Sequence, residues 1–280
     1  LTPEERAVES AFADAYEKDP DGMARKYLAM IEASNSPNKF EADAAKNLFE
    51  PWAGKDLPPE QRADLRSTMN TPLHQTANAI AKRAFMMKMD EMSDADKVKG
   101  ILVTVGGCGA GKGFALKTLG DKIPELNSTR YGGVWDSAGD QNATENPWIL
   151  KEAAARGVKV TYVYVSADPK VAWADKKRGV VQRAQNPDDG RMVDAAVFAD
   201  SYVIGAQNHD AFSRKYAGAA NFIFLENGAQ VRRVHQVPSA DLDRNRTELR
   251  AFATETVASA DVHPRIKRGA LAGSRIWGKR

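Results

Sequence analysis

The chain of 280 residues is 28% charged and 42% hydrophobic, an ordinary globular composition that excludes a disordered chain. Forty basic against 37 acidic residues leave a charge of +3, too near balance to mark a nucleic-acid binder, and no apolar run approaches the ~18 residues that cross a bilayer. The single cysteine, Cys108, excludes an internal disulfide framework and a multi-cysteine zinc site and suits a reducing compartment. No signal-peptide pattern opens the chain, and Leu1 in place of Met points to a piece of something longer.

Residues 1–96 read as a helical extension. Thr2-Pro3-Glu4-Glu5 is a helix-start signature, and Leu73, Ala77, Ile80, Ala84 and Met87 recur at spacings of three and four. Ser36-Pro37-Asn38 and Leu57-Pro58-Pro59 break the zone, and no β-rich run interrupts it. Met86, Met87 and Met89 read as core filling rather than a ligand groove. Residues 97–236 alternate between strands and helices. Strands are expected at 100–105, 133–135, 158–165 and 221–225, the last closing as a hairpin through Glu226-Asn227-Gly228 to Val231. Helices are expected at 147–155 and 169–178. This order predicts an α/β fold, a mostly parallel sheet covered on both faces. Residues 237–280 form a polar tail with one helix near 242–257. Beyond Val262 every charge is basic (Arg265, Lys267, Arg268, Arg275, Lys279, Arg280), which reads as a solvated terminus before an anion-binding arm.

The strongest motif is Gly106-Gly107-Cys108-Gly109-Ala110-Gly111-Lys112-Gly113, between a hydrophobic strand and a helical run. Its glycines let successive N–H groups turn toward phosphate oxygens, and the helix behind adds its positive end. Lys112 then brings a point charge to the β- and γ-phosphates. The Ser or Thr whose hydroxyl usually reaches Mg²⁺ is Gly113 here, so either the metal is held through waters and a carboxylate or the site is degenerate.

Asp136 follows Val134-Trp135 and belongs at a carboxyl end of the sheet, where it is either a turn aspartate or the group that takes a hydroxyl proton or holds Mg²⁺. Asp140 and Glu145, on the next polar loop, are further acidic candidates for the substrate side. Asp168 reads as the N-cap of the helix opened by Pro169 before it reads as a metal carboxylate. Arg178, Arg183 and Arg191 lie in a Pro- and Gly-containing segment that reads either as a mobile lid carrying guanidinium groups to phosphates or as a solvated basic helix and turn. The four histidines show no metal-ligand spacing.

The glycine loop with Lys112, an aspartate 24 positions later after a second strand, the Gly190-Arg191 segment and the closing hairpin together resemble a zeta-toxin-type P-loop kinase, over roughly residues 98–234. The resemblance implies ATP and Mg²⁺ as cofactors, residues 106–113 as the ATP loop, Asp136 as catalytic base and Arg183 and Arg191 as phosphate contacts. It implies phosphorylation of a hydroxyl of UDP-N-acetylhexosamine or, in an effector branch, of NAD. Toxin or effector activity, an antitoxin or chaperone partner, and a cytoplasmic site of action (in the producing cell or in a target cell) are implied as well. A helical extension ahead of the core looks more like the effector branch, and Gly113 departs from the family's Ser or Thr. Neither a membrane nor a nucleic-acid partner is expected. A catalytically weak nucleotide-binding module whose helical zone binds a protein is the other reading.

Overall fold

The computed structural model describes residues 3–137, 148–177, 179–186 and 190–271. The described strands are β1 (Lys39–Phe40), β2 (Ile101–Val105), β3 (Gly133–Asp136), β4 (Val160–Ala167), β5 (Asn221–Asn227) and β6 (Val231–Val234). They form one six-stranded mixed sheet in the order β1-β3-β2-β4-β5-β6, parallel throughout except for the β5–β6 hairpin. Ahead of β2 come α1 (Pro3–Lys18), α2 (Pro20–Glu32), α3 (Ala42–Ala45), α4 (Glu50–Ala53), α5 (Pro59–Met69), α6 (His74–Asp90) and α7 (Asp94–Lys99). Helix α8 (Lys112–Gly120) follows β2 and α9 (Trp148–Ala155) precedes β4. Between β4 and β5 lie α10 (Pro169–Ala174), α11 (Val180–Gln185) and α12 (Ala195–Lys215). The described chain closes with α13 (Ser239–Leu242), α14 (Arg246–Ser259) and α15 (Pro264–Leu271).

Strand β2 is buried along its whole length, as a central strand covered on both faces must be. Its period of two sends Ile101, Val103 and Val105 to one face with Trp135 and Tyr162, where Phe40, Ile80 and Phe85 of the N-terminal zone complete the core. Leu102, Val134, Val163 and Val165 point the other way, against Ala115, Trp173, Phe198, Tyr202 and Leu249. Phe85 ties the N-terminal zone to the sheet, its ring 5.0 Å from Phe40 and 5.5 Å from Trp135. The stripe on α6 packs inward as its spacing predicts, with Leu73, Ala77, Ile80 and Ala84 buried and Met87 half-buried against them.

The helix expected at 169–178 ends at Ala174, and three further features differ from the sequence reading. The zone expected to lack strands contributes β1, two residues long and therefore without a readable alternation. The helix expected at 242–257 is broken, because Asn245 caps α14 through bonds from the Thr247 and Glu248 N–H groups. Arg265, read as part of a solvated basic terminus, is buried and pairs with Glu60 at 2.8 Å, while Arg268 pairs with Asp64.

His209 on α12 is 2% exposed, stacked 5.2 Å from the Tyr164 ring and ringed by Tyr162, Phe222 and Phe224, and its Nε2 has no hydrogen-bond partner among the described residues. Burial alone drives its imidazole pKa down to about 3. The neutral ring is the form the fold tolerates, so stability is full above the ordinary histidine pKa and drains away as pH falls from there toward 3. His209→Phe should match the wild type at pH 7 and exceed it by about 2 kcal/mol at pH 5 in urea unfolding. Equal pH dependence of the two proteins would refute this account of His209.

Candidate active site

The β2–α8 turn carries residues 106–111, and its conformation depends on glycine at two kinds of position. Gly111 has φ +75°, in the left-handed region, directly before the first residue of α8. At Gly107 the obstacle is space, since a Cβ there would stand 2.3 Å from the Tyr202 ring. The loop is fastened by neighbours far away in sequence. The Cys108 N–H donates to Ser201 Oγ (3.0 Å), the Tyr202 hydroxyl donates to the Cys108 carbonyl (3.2 Å), and the Asn227 amide donates to the Ala110 carbonyl (2.8 Å). Burial pushes the Cys108 thiol up, which favours its protonated form.

Lys112 opens α8 with its Nζ 3.3 Å from the Gly106 carbonyl and 3.7 Å from Asp136 Oδ1. Asp136 closes β3 and pairs in register with Thr104 of β2, whose hydroxyl donates to Asp136 Oδ1 at 2.9 Å. Lys39 of β1 reaches Asp136 Oδ2 at 2.7 Å. Burial raises the Asp136 pKa, but Lys112, Lys39 and the bonds from Lys39 and Thr104 outweigh it, and the carboxyl stays below its ordinary range. The site therefore presents an ionised carboxylate beside a lysine and a glycine loop at the C-terminal edge of a parallel sheet, where ligands of such sheets bind.

The N–H groups of Gly109, Gly111, Lys112 and Gly113 meet no protein acceptor among the described residues, so the turn leaves backbone donors open to an anion. For Mg²⁺ the described residues hold no group of three His, Cys, Asp or Glu side chains, and the carboxylate nearest the loop lysine is Asp136. That donor set suits a metal carried in on phosphate oxygens and water, not one caged by protein. A Cβ on Gly113 would meet nothing within 4 Å. Gly113→Ser should therefore fold with a gain of up to about 0.5 kcal/mol in helix propensity. A large drop in Tm would show that the backbone needs glycine there.

Of the other expected site residues, Arg183 is exposed on α11, and Arg191 pairs with Asp43 of α3 at 3.0 Å. Asp140, Glu145 and Arg178 lie outside the described residues. The described end of the expected lid is fastened to the N-terminal zone: the Ser67 hydroxyl donates to the Gly190 carbonyl and the Asn70 amide to the Met192 carbonyl (3.0 Å). Beneath Asp43, the fully buried Lys46 donates to Asp43 (2.7 Å) and Asn70 (2.6 Å) and lies over the Trp52 ring. Burial alone would raise the Asp43 pKa, and Lys46 and Arg191 reverse this and hold it far below the carboxylate range. Asp168 caps α10 by accepting from the Lys170 and Val171 N–H groups, the cap reading of its Asp-Pro pair.

Lys39, Thr104, Ser201, Tyr202 and Asn227 carry no local sequence signal that marks them as site residues. Asn227 stood in view only as a turn residue, and Lys39 followed a helix breaker with no pattern around it. No protein-family model matches the chain, and no curated protein matches it. No helix among the described residues is long and apolar enough to cross a membrane.

Proposed function

We propose that the protein is an ATP-dependent small-molecule kinase of zeta-toxin type, built on a P-loop kinase fold and acting as a toxin or effector in a cytoplasm. The observation that carries this reading is the meeting of Lys112 and Asp136, 3.7 Å apart, beside a loop with undirected N–H groups. Phosphoryl transfer is mostly positioning and charge stabilisation, and these parts supply both. The loop N–H groups and Lys112 hold the β- and γ-phosphates. Asp136 orients the acceptor hydroxyl and takes its proton as that oxygen bonds to the γ-phosphorus, while the bond from phosphorus to the bridging oxygen breaks and ADP departs. Mg²⁺, when bound, offsets charge on the phosphates. A depressed pKa makes Asp136 a weak base, which suits a loose transition state where the proton moves late.

The acceptor class proposed is a nucleotide-containing metabolite, UDP-N-acetylhexosamine or NAD, and the partner class an antitoxin or chaperone protein. Mass spectrometry of metabolites after expression tests this. Cells expressing the wild type should accumulate a phosphorylated nucleotide metabolite that cells expressing Asp136→Asn lack, and identical profiles would reject the kinase. A weak nucleotide-binding module is the second reading, favoured by Gly113, and it predicts ATP binding without transfer to any acceptor.

A further inference from the structure

We infer that the N-terminal helical zone builds part of the reaction site, with Lys39 as the positioning residue that fixes the Asp136 carboxylate; this rests on the kinase reading above. Strand β1 pairs in parallel with β3, Lys39 beside Val134 and Phe40 beside Trp135. Side chains alternate along a strand, so this register puts Lys39 on the face of Asp136, two positions beyond Val134, and leaves Phe40 for the opposite core. Lys39 Nζ then lies 2.7 Å from Asp136 Oδ2 and 2.8 Å from Glu41 Oε2. The two carboxylate oxygens of Asp136 are thus gripped from different elements, Oδ1 by Thr104 of β2 and Oδ2 by Lys39 of β1.

Lys39 is itself held. The Tyr27 hydroxyl, fully buried in α2, donates to the Glu41 carbonyl (2.9 Å) and accepts from the Glu41 N–H (3.0 Å). This reciprocal pair clamps the backbone that carries Glu41 and, two residues earlier, Lys39. The chain of support runs from the core of α2 through Glu41 and Lys39 to Asp136. Lys112 also faces Asp136, but in the kinase reading its charge belongs to the phosphates. Lys39 is the cation left to the carboxylate when Lys112 engages ATP. The Lys39 side chain is 38% exposed and that of Asp136 15%, so solvent screens the pair from one side only, and its geometry fixes the orientation of the carboxylate.

The test uses the full chain with ATP and, as acceptors, NAD and UDP-N-acetylglucosamine. Lys39→Met should lower kcat by about 10-fold or more while KM for ATP stays within about twofold, the scale of a displaced catalytic group. Lys39→Arg should recover most of the loss. Tyr27→Phe should lower kcat less, and the double variant Tyr27→Phe/Lys39→Met should be no slower than Lys39→Met alone, because both act through one path. An unchanged kcat in Lys39→Met, a loss confined to KM for ATP, or no recovery with arginine would overturn the assignment. If the wild type phosphorylates neither acceptor, the kinase reading falls, and thermal unfolding decides Lys39 by itself. Losses in Tm from Lys39→Met and Asp136→Asn that combine to less than their sum keep Lys39 as the partner that fixes Asp136, and additive losses remove it.

Discussion

Lys112→Ala should cost about two orders of magnitude in ATP affinity and abolish turnover while leaving the fold intact. Charge-assisted hydrogen bonds are worth roughly 1.5–3 kcal/mol each, and every 1.4 kcal/mol is tenfold in affinity. The lysine stands first in α8, where its side chain faces the loop and Asp136 instead of the core. Asp136 keeps Lys39 and Thr104 when Lys112 is gone, so no carboxylate is stranded. Calorimetric titration with ATP and a thermal melt separate the two effects. An ATP affinity equal to that of the wild type would show that the loop does not hold phosphate through this residue.

Asp136→Asn should lower kcat by about 10²- to 10⁴-fold, the span of general acid–base catalysis, with ATP still bound. The substitution keeps the side chain's shape and the acceptor for Thr104 while removing the charge. Lys112 loses a competitor 3.7 Å away, so ATP affinity should stay level or rise. That opposite movement of binding and turnover is the signature to look for. A variant that lost both together would point to damage in the loop, not to the loss of a base. A variant with wild-type kcat would leave Asp136 as an aspartate that merely ends a strand.

The two lysines around Asp136 show how differently local and distant information is encoded. Lys112 was legible because its neighbours in sequence declare it: four glycines, a hydrophobic strand before and a helical run after. Lys39 lies closer to the carboxylate, yet its neighbours are a breaker and a two-residue strand that no periodicity announces. The same contrast separates the helices. The stripe of α6 is regular and its buried face was readable, whereas α12, the longest described helix, is buried on most sides and carries Ser, Asp, Asn, His and Gly in its interior. A helix wrapped by the core has no polar face to set off an apolar one.

The α/β alternation, the closing hairpin, the glycine loop and the place of Asp136 at a strand end can each be read from residues within a few positions of one another. Long-range packing supplied what surrounds them. It set β1 beside β3, brought Tyr202 and Asn227 to the loop, joined Ser67 to Gly190 across 123 positions and turned Arg265 from a presumed solvated terminus to Glu60 across 205. Such contacts depend on the register of a sheet and on which faces the helices bury. A one-residue shift of β1 would send Lys39 to the opposite face and Phe40 toward Asp136, with the composition of the strand unchanged. Register is chosen by the whole core at once, through the burial of Phe40 against Phe85 and Trp135, and no short stretch of the chain contains it.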